Sequence, residues 1–291
     1  MKLHNSILNV ADGYEGILLD AYGVFWGGNA VGLFPGVLET LSSLVSKGKI
    51  VGVLSNATQL PLAEMEKIAK TGLQHQTHFH FYVTSGDIAR SIFMKGDLPF
   101  STPKKKYFLF SGVHPRYSSP YTLFKESLFQ ETDQLEEADF IYLSTPHLHG
   151  EDQTDPELFR KLVEAVAPSK LPMVCANPDR FAHEGKPART VVRQGSIAAF
   201  YEELGGTVFY IGKPSRLSFE VAMKQFNHLG ITDPAKVLMV GDTPETDILG
   251  ANRFGMASAL IIETGIMKDR KLELQPQLTP THLIKKLAPD V

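Results

Sequence analysis

Short runs of apolar residues alternate along the chain with longer segments in which apolar positions recur at helical spacing. The run Ile17–Leu19 is followed by the helical pattern of Val37–Val45, and Ile50–Leu54 is a second continuous run. Continuous apolar runs are typical of strands buried on both faces, and the helical spacing is typical of the amphipathic helices that cover them. The alternation therefore predicts an α/β fold with a doubly wound parallel sheet.

The same pattern returns in the C-terminal third, and a middle region has strands and helices of its own. The further apolar runs that we interpret as strands are Phe79–Val83, Tyr107–Phe110, Phe140–Leu143, Met173–Ala176, Thr207–Ile211, Val237–Val240 and Ala257–Ile262. We predict a core domain formed by residues 1–86 and 207–291, with an α/β cap domain inserted at residues 87–206. Helical linkers within one larger sheet would give a similar pattern.

One predicted helix carries a specific expectation about which side is buried. Pro61 begins the segment Pro61–Lys70, and proline is favoured at the first position of a helix. We expect Leu62, Met65 and Ile68 or Ala69 to face inward, because these apolar residues lie three or four positions apart.

Composition narrows the class of protein. The formal net charge of the 291 residues is -3, which gives no electrostatic reason to expect nucleic acid or an anionic membrane as the main partner. Cys175 is the single cysteine, which excludes an internal disulfide and fits a reducing compartment. The N-terminal segment lacks the sustained apolar stretch of a secretion signal, and no run approaches the ~20 apolar residues of a membrane span. We expect a cytoplasmic protein.

Four of the predicted strands end in polar residues. These residues are Asp20, the pair Ser55 and Asn56, Lys213, and Asp242 with Asp247 close behind it. The carboxyl ends of parallel strands meet at one edge of a sheet, where ligands bind. Carboxylates suit Mg²⁺, a lysine suits phosphate, and an aspartate can act as a nucleophile that forms an aspartyl-phosphate. The set therefore predicts a phosphoryl-transfer site.

These residues lie in four segments, LLDAYGV, LSNAT, YIGKPS and VGDTPETDILGA, which in this order and spacing resemble the four motifs of the haloacid dehalogenase superfamily. ANPDRF and GSIAAFYEELGG resemble the branch with a large α/β cap, the group of sugar-phosphate and pyridoxal-phosphate phosphatases. The resemblance covers the whole core and extends into the cap. It implies a Rossmann-like core and dimers formed through the cap, although the sequence itself does not determine the oligomeric state.

The resemblance also implies roles around a bound Mg²⁺. Asp20 would be both the nucleophile and a metal ligand, and the backbone carbonyl of Tyr22 would be a second ligand. Asp242 would hold Mg²⁺ directly. Lys213 would balance the charge on the nucleophile and the phosphate, and Asp247 would be a further carboxylate near the metal or would orient Lys213.

Further residues are assigned to the substrate by the same resemblance. Ser55 would bind the phosphate, with Asn56 beside it lining the site. The turn that contains Asn177 and Asp179 is suggested as the part of the cap that faces the substrate. His183 is expected to face the substrate because of its position just after this turn, and not because of the resemblance.

The sequence departs from the superfamily at Tyr22, where its phosphatases usually carry an aspartate that protonates the leaving oxygen and then activates water. A positioned acid/base contributes roughly 10²–10⁴-fold to the rate, and a phenol with an unperturbed pKa near ~10 is a poor base at neutral pH. Three outcomes stay open. Another group, for example on the substrate, supplies the proton; or the substrates have good leaving groups; or the protein binds phosphate esters with little turnover.

The function that the sequence favours is Mg²⁺-dependent dephosphorylation of a small phosphorylated metabolite, a sugar phosphate or a cofactor phosphate, through an aspartyl-phosphate on Asp20. A catalytically weak phosphate-ester-binding protein is the main alternative. A dinucleotide-dependent oxidoreductase is disfavoured, because no G-x-G-x-x-G follows the first strand. The sequence does not identify the substrate.

Overall fold

Two parallel β-sheets organise the chain in a computed structural model that describes residues 2–114, 117, 120–184, 189–272 and 275–289. The strands are β1 (Leu3–His4), β2 (Gly16–Leu19), β3 (Ile50–Ser55), β4 (Phe81–Thr84), β5 (Lys106–Phe110), β6 (Gln130–Thr132), β7 (Phe140–Leu143), β8 (Met173–Cys175), β9 (Phe181–Glu184), β10 (Arg189–Val192), β11 (Val208–Tyr210), β12 (Val237–Gly241), β13 (Ala257–Ile261) and β14 (His282–Ile284). The helices are α1 (Val37–Ser46), α2 (Pro61–Ala69), α3 (Ser85–Lys95), α4 (Pro120–Phe124), α5 (Arg160–Val166), α6 (Gln194–Glu203), α7 (Arg216–His228) and α8 (Leu249–Phe254). Within these described ranges, no helix combines the length and apolar character needed to cross a membrane.

The larger sheet has seven parallel strands in the order β1-β14-β13-β12-β2-β3-β4. Helices cover both faces, because alternate residues of β2 point to opposite sides. Ile17 and Leu19 pack in one core with Leu41 of α1, whereas Leu18 packs in another with Phe226 of α7. The prediction of a doubly wound parallel sheet is confirmed. The chain reverses its direction of winding between β12 and β2, which places a crevice at the carboxyl ends of these two strands.

The second sheet has five parallel strands in the order β11-β8-β7-β5-β6. Its membership corrects one predicted boundary. The strand expected at Thr207–Ile211 was assigned to the core, but Val208 pairs with Met173 and Tyr210 with Cys175 of β8. The reason is that α6 packs on β8, so the short connection after α6 returns the chain to the neighbouring position in the same sheet.

An antiparallel hairpin, β9 and β10, extends from the second sheet over the edge of the larger one. Strand β9 contacts the 3₁₀ turn Gly265–Asp269, which follows β13. The Glu184 carboxylate at the end of β9 also lies next to Gly28, in the loop after β2. The hairpin therefore brings side chains of the middle region close to the carboxyl ends of the larger sheet.

Helix α2 corrects the expectation about its buried side. Met65 packs against the core and Ile68 is buried, as predicted, but Leu62 is 64% exposed. Glu64 is buried instead, at 1% exposed, where it forms an ion pair with Lys67. The inward side of α2 is partly polar because it faces the crevice described below, and apolar spacing alone could not indicate this.

Candidate active site

The polar residues at the strand ends come together at the crevice of the larger sheet. Asp20 directly follows β2, Ser55 ends β3 and Asp242 directly follows β12. The Nζ atom of Lys213 lies 2.5 Å from Oδ1 of Asp20 and 2.8 Å from Oδ1 of Asp247. We call Asp20, Asp242, Asp247 and Lys213 the strand-end cluster.

Lys213 is held as a buried cation. Its side chain is 1% exposed, and burial alone would lower its pKa, but the carboxylates of Asp20 and Asp247 raise the pKa of Lys213 above its usual range. Asn56 fixes the backbone on both sides of this residue. The Lys213 N–H donates to Oδ1 of Asn56 at 2.7 Å, and the Lys213 carbonyl accepts from Nδ2 of Asn56 at 3.1 Å.

The three carboxylates of the cluster form a set that could hold a cation. Oxygen atoms of Asp20, Asp242 and Asp247 all lie within 4.8 Å of one another, and the three residues are buried. Burial raises the pKa of Asp20 well above its usual range, although Lys213 lowers it. Burial and then the charge of Asp247 raise the pKa of Asp242 to about 7. The three carboxylates are hard oxygen donors, and one lysine cannot balance their combined negative charge. This set therefore fits Mg²⁺.

Backbone groups fix the orientation of two of these carboxylates. Oδ2 of Asp242 accepts from the Ile266 N–H at 2.7 Å, and Oδ1 accepts from the Thr243 hydroxyl at 3.0 Å. Oδ2 of Asp247 accepts from the Thr243 N–H at 3.0 Å. Asp247 lies in a single π-helical turn, Pro244–Ile248, of a kind found often at functional sites. Neither Thr243 nor Ile266 was predicted from the sequence. Ile266 acts through its backbone N–H, which leaves no signal in the side-chain pattern.

Ser55, the last residue of β3, and Asn56, which follows it, differ in what their side chains can still bind. Ser55 is 2% exposed, and its Oγ accepts from the Ala57 N–H at 3.2 Å, so its hydroxyl hydrogen can still be donated. Asn56 has both ends of its amide engaged, since Nδ2 also donates to Oδ1 of Asp179 at 3.0 Å. Asn56 therefore links the strand-end cluster to the middle region of the chain.

The predicted substrate-facing residues lie beside this cluster. The Asp179 N–H donates to Oδ1 of Asn177 at 3.1 Å, which stabilises the turn. Burial raises the pKa of Asp179 to about 6, although Lys213 lowers it. His183 faces the same space, with Nε2 3.6 Å from Oδ2 of Asp269, and burial lowers the pKa of His183.

Tyr22 points toward α2. Nζ of Lys67 donates to the Tyr22 hydroxyl at 2.7 Å and lies 2.5 Å from Oε2 of Glu64. Burial, followed by the charge of Glu64, raises the pKa of Tyr22 well above its usual range. The phenol therefore stays protonated at neutral pH. Neither Glu64 nor Lys67 was predicted as a site residue; their i, i+3 spacing on α2 is the signal that would have indicated a pair.

A cleft of about 780 Å³, counting the part open to solvent, joins these groups. From the larger sheet it is lined by residues such as Asp20, Ser55 and Glu64, and from the middle region by residues such as Tyr117, Glu184 and Arg193. Oε1 of Glu184 accepts from the Tyr117 hydroxyl and pairs with Nη2 of Arg193, both at 3.2 Å. Sequence reasoning missed this second set, because its members come from separate segments that carry no shared motif.

Known proteins of similar sequence and structure match the chain along nearly its whole length. A family described as HAD-hydrolase-like matches residues 210–289. Chronophin of Rattus norvegicus is 27% identical over 299 residues, covering 94% of this chain and 86% of chronophin. Sugar-phosphatase AraL of Bacillus subtilis is 26% identical over 282 residues, covering 94% of this chain and 90% of AraL. The crystal structure of a haloacid dehalogenase-like hydrolase from Brucella suis 1330 aligns with a TM-score of 0.80 at 23% identity, covering 98% of this chain and 99% of that one. The family match at residues 210–289 and the similarity to chronophin and AraL over 94% of the chain confirm the resemblance to the haloacid dehalogenase superfamily.

Proposed function

We propose that this chain hydrolyses the phosphate monoester of a small metabolite, a sugar phosphate or a cofactor phosphate, with Mg²⁺ and through an aspartyl-phosphate on Asp20. The observation that carries the proposal is the strand-end cluster. A buried lysine lies 2.5 Å from one oxygen of Asp20, and oxygen atoms of two further carboxylates lie within 4.8 Å of Asp20. The phosphatase relatives support the reaction class, since the similarity extends over 94% of the chain.

Asp20, Asp242 and the carbonyl of Tyr22 would hold Mg²⁺ directly. The ion would neutralise charge on the phosphoryl group and orient it. Both oxygens of Asp247 are already engaged, one facing Lys213 at 2.8 Å and one accepting from the Thr243 N–H at 3.0 Å. Of the two roles that the resemblance leaves open for Asp247, we therefore propose the orientation of Lys213.

The chemistry that we propose has two steps. A carboxylate oxygen of Asp20 attacks phosphorus, the bond between phosphorus and the ester oxygen breaks, and that oxygen takes up a proton. Lys213 and the Ser55 hydroxyl donate to the phosphoryl oxygens and disperse the charge that develops on them. A water molecule then attacks the phosphoryl group, loses a proton and releases inorganic phosphate, which restores the carboxylate of Asp20.

Proton transfer is the step that Tyr22 puts in question. Its hydroxyl accepts from Lys67, and its raised pKa keeps it from acting as a base. This observation favours a second candidate function, an enzyme restricted to esters with good leaving groups, such as acyl or aryl phosphates. A phosphate-ester-binding protein with little turnover is the third.

The test is Mg²⁺-dependent release of phosphate from an aryl phosphate and from a panel of sugar and cofactor phosphates. We expect the wild type to exceed the Asp20→Asn variant, which keeps the shape of the side chain without its nucleophilic oxygen. Acid quenching should trap phosphate on the wild type alone. If the wild type is no faster than Asp20→Asn on every ester, hydrolysis is excluded and the cleft serves binding.

A further inference from the structure

A second groove borders the candidate active site at the junction of the two sheets. Asp179 and Thr243 line both the cleft and this groove. One wall is the segment Pro178–Phe181, which leads into β9, and the other includes the start of α7 and residues of α8. The groove has a volume of about 1640 Å³, counting the part open to solvent, which exceeds what one phosphate ion would fill.

Four arginines line this groove. Arg180 comes from the loop before β9, Arg216 begins α7, Arg253 lies in α8 and Arg270 follows the turn after β13. Against them stand two lining carboxylates, those of Asp179 and Glu245. The groove is thus locally positive on a chain whose formal net charge is -3.

Two of the four guanidinium groups already have partners. Nη1 of Arg270 lies 3.2 Å from both carboxylate oxygens of Glu245. Arg216 donates from Nε to Glu220 at 2.8 Å, and its guanidinium lies 5.4 Å from the ring centre of Phe254. These contacts fix the two groups at the rim of the groove.

The other two are available to a ligand. In the ranges that the structure describes, the guanidinium groups of Arg180 and Arg253 form no hydrogen bond or ion pair with the protein. Arg180 lies close enough to Tyr210, which also lines the groove, for its charge to oppose the rise in the pKa of the Tyr210 hydroxyl. Two free, planar donors thus line one groove from opposite walls.

We propose that this groove binds a small polyanion with two or more linked phosphate groups, either inorganic or carried by a nucleotide. Arginine presents a planar fork of donors that matches phosphate oxygens, and the charge of a polyphosphate is spread widely enough to reach both walls. Arg180 belongs to the wall formed by the middle region, and Arg253 belongs to the wall formed by the larger sheet and its helices. The bound anion therefore links the two parts of the chain at a place distinct from Asp20.

The experiment is a calorimetric titration of the full-length chain with inorganic tripolyphosphate, in buffer without divalent metal. A parallel titration with ATP shows whether a nucleoside adds affinity. We compare the wild type with Arg180→Gln/Arg253→Gln. The matched control is Lys47→Gln/Lys70→Gln, which removes the same charge from exposed helix ends away from the groove.

Binding of tripolyphosphate to the wild type, weakened at least tenfold in Arg180→Gln/Arg253→Gln and unchanged in the control, supports the proposal. The wild-type affinity should also fall as salt is added, because exposed charges are screened. Three results overturn the proposal: no binding to the wild type, equal loss in the control, or equal binding in the groove variant. The last result would show that the anion binds without Arg180 and Arg253. Phosphate release by the same proteins is measured separately, so a failure to bind tripolyphosphate in the groove can be distinguished from a failure to hydrolyse phosphate esters.

Discussion

At the scale of single residues, Tyr22 is expected to permit metal binding but to limit the rate of proton transfer. Its backbone carbonyl is a proposed ligand of Mg²⁺, whereas its hydroxyl is bonded to Lys67 at 2.7 Å. We predict that Tyr22→Asp increases kcat for alkyl phosphates by roughly 10²–10⁴-fold, because a carboxylate can protonate the leaving oxygen and activate water. Steady-state kinetics on a sugar phosphate and an aryl phosphate measure the gain, which should be smaller for the aryl ester.

Tyr22→Phe is the control for this substitution. Both variants lose the hydrogen bond to Lys67, but only Tyr22→Asp gains a carboxylate. If Tyr22→Phe is accelerated as much as Tyr22→Asp, release of Lys67 explains the gain. If neither variant changes the rate, another group already transfers the proton.

Lys213 is expected to stabilise the folded state, because it neutralises two buried carboxylates. Removing one partner of a buried ion pair costs about 3–5 kcal/mol, since the remaining charge is left without compensation. We expect Lys213→Met to lower the free energy of unfolding by this amount in urea titrations without metal. Lys236→Met is the matched control, because Lys236 pairs with Glu15 at 2.7 Å on the surface, where both side chains are about half exposed. Such an exposed pair contributes little to stability, because solvent screens it. Equal losses in the two variants would contradict a charge-balancing role for Lys213.

At the scale of elements, the sequence predicted five of the seven strands of the larger sheet, because strands buried on both faces consist of continuous apolar residues. The edge strand β1 and its neighbour β14 were not predicted, because they have only two and three residues. The sequence also failed where placement depends on distant contacts. The strand β11 looks like the others, and only its pairing with β8 assigns it to the second sheet. Helix α2 buries Glu64 and exposes Leu62, because the crevice beside it is polar. The hairpin of β9 and β10 carries no apolar run that distinguishes it from a loop.

The loop after β2 is an element whose glycine shapes the proposed metal site. Gly23 has a φ of +80°, and a Cβ atom there would overlap the carboxylate of Asp242. We predict that Gly23→Ala raises the Mg²⁺ concentration at half-maximal activity by about 10–100-fold, as displacement of a metal ligand's support commonly does.

Gly32→Ala is the control for the loop. Gly32 has a nearly identical φ of +79°, but a Cβ atom there would meet nothing within 4 Å. Alanine at position 32 therefore introduces backbone strain without steric overlap. The Mg²⁺ dependence of Gly32→Ala should match that of the wild type, while both alanine variants lose some stability. An equal change in Mg²⁺ dependence would attribute the effect to backbone strain and would remove Gly23 from the site.

At the scale of the whole molecule, the candidate site is assembled from both sheets. The side-chain amide of Asn56 bonds to the backbone of Lys213 and to the carboxylate of Asp179. One amide therefore joins the end of β3, the return from the second sheet and the turn before β9. The strand-end residues were predictable because strand topology determines their position. The set of Tyr117, Glu184 and Arg193 was not, because its members come from separate segments of the middle region that carry no shared motif.

The charge of the assembled site makes the stability of the metal-free chain depend on pH. The pKa of Asp242 is raised to about 7 and that of Asp179 to about 6, from an unfolded value near ~3.9. Between these values the folded state binds protons that the unfolded state has released, so stability falls as pH rises through the window from about 4 to about 7. For Asp242 alone, the loss between pH 5.5 and 7.5 is about 2 kcal/mol at 1.36 kcal/mol per unit.

The measurement compares wild type with Asp242→Asn in EDTA by urea unfolding at both pH values. Burial lowers the pKa of His183 and of His282, which changes stability in the opposite direction, so the difference between the two proteins isolates Asp242. We expect the wild type to lose about 2 kcal/mol more than Asp242→Asn between pH 5.5 and 7.5. Adding Mg²⁺ at pH 7.5 should restore the wild type and leave the variant nearly unchanged, because a bound cation favours the ionised carboxylates. Parallel pH curves for the two proteins would show that the pKa of Asp242 is not raised. A wild type whose stability does not respond to Mg²⁺ would contradict the proposed metal site.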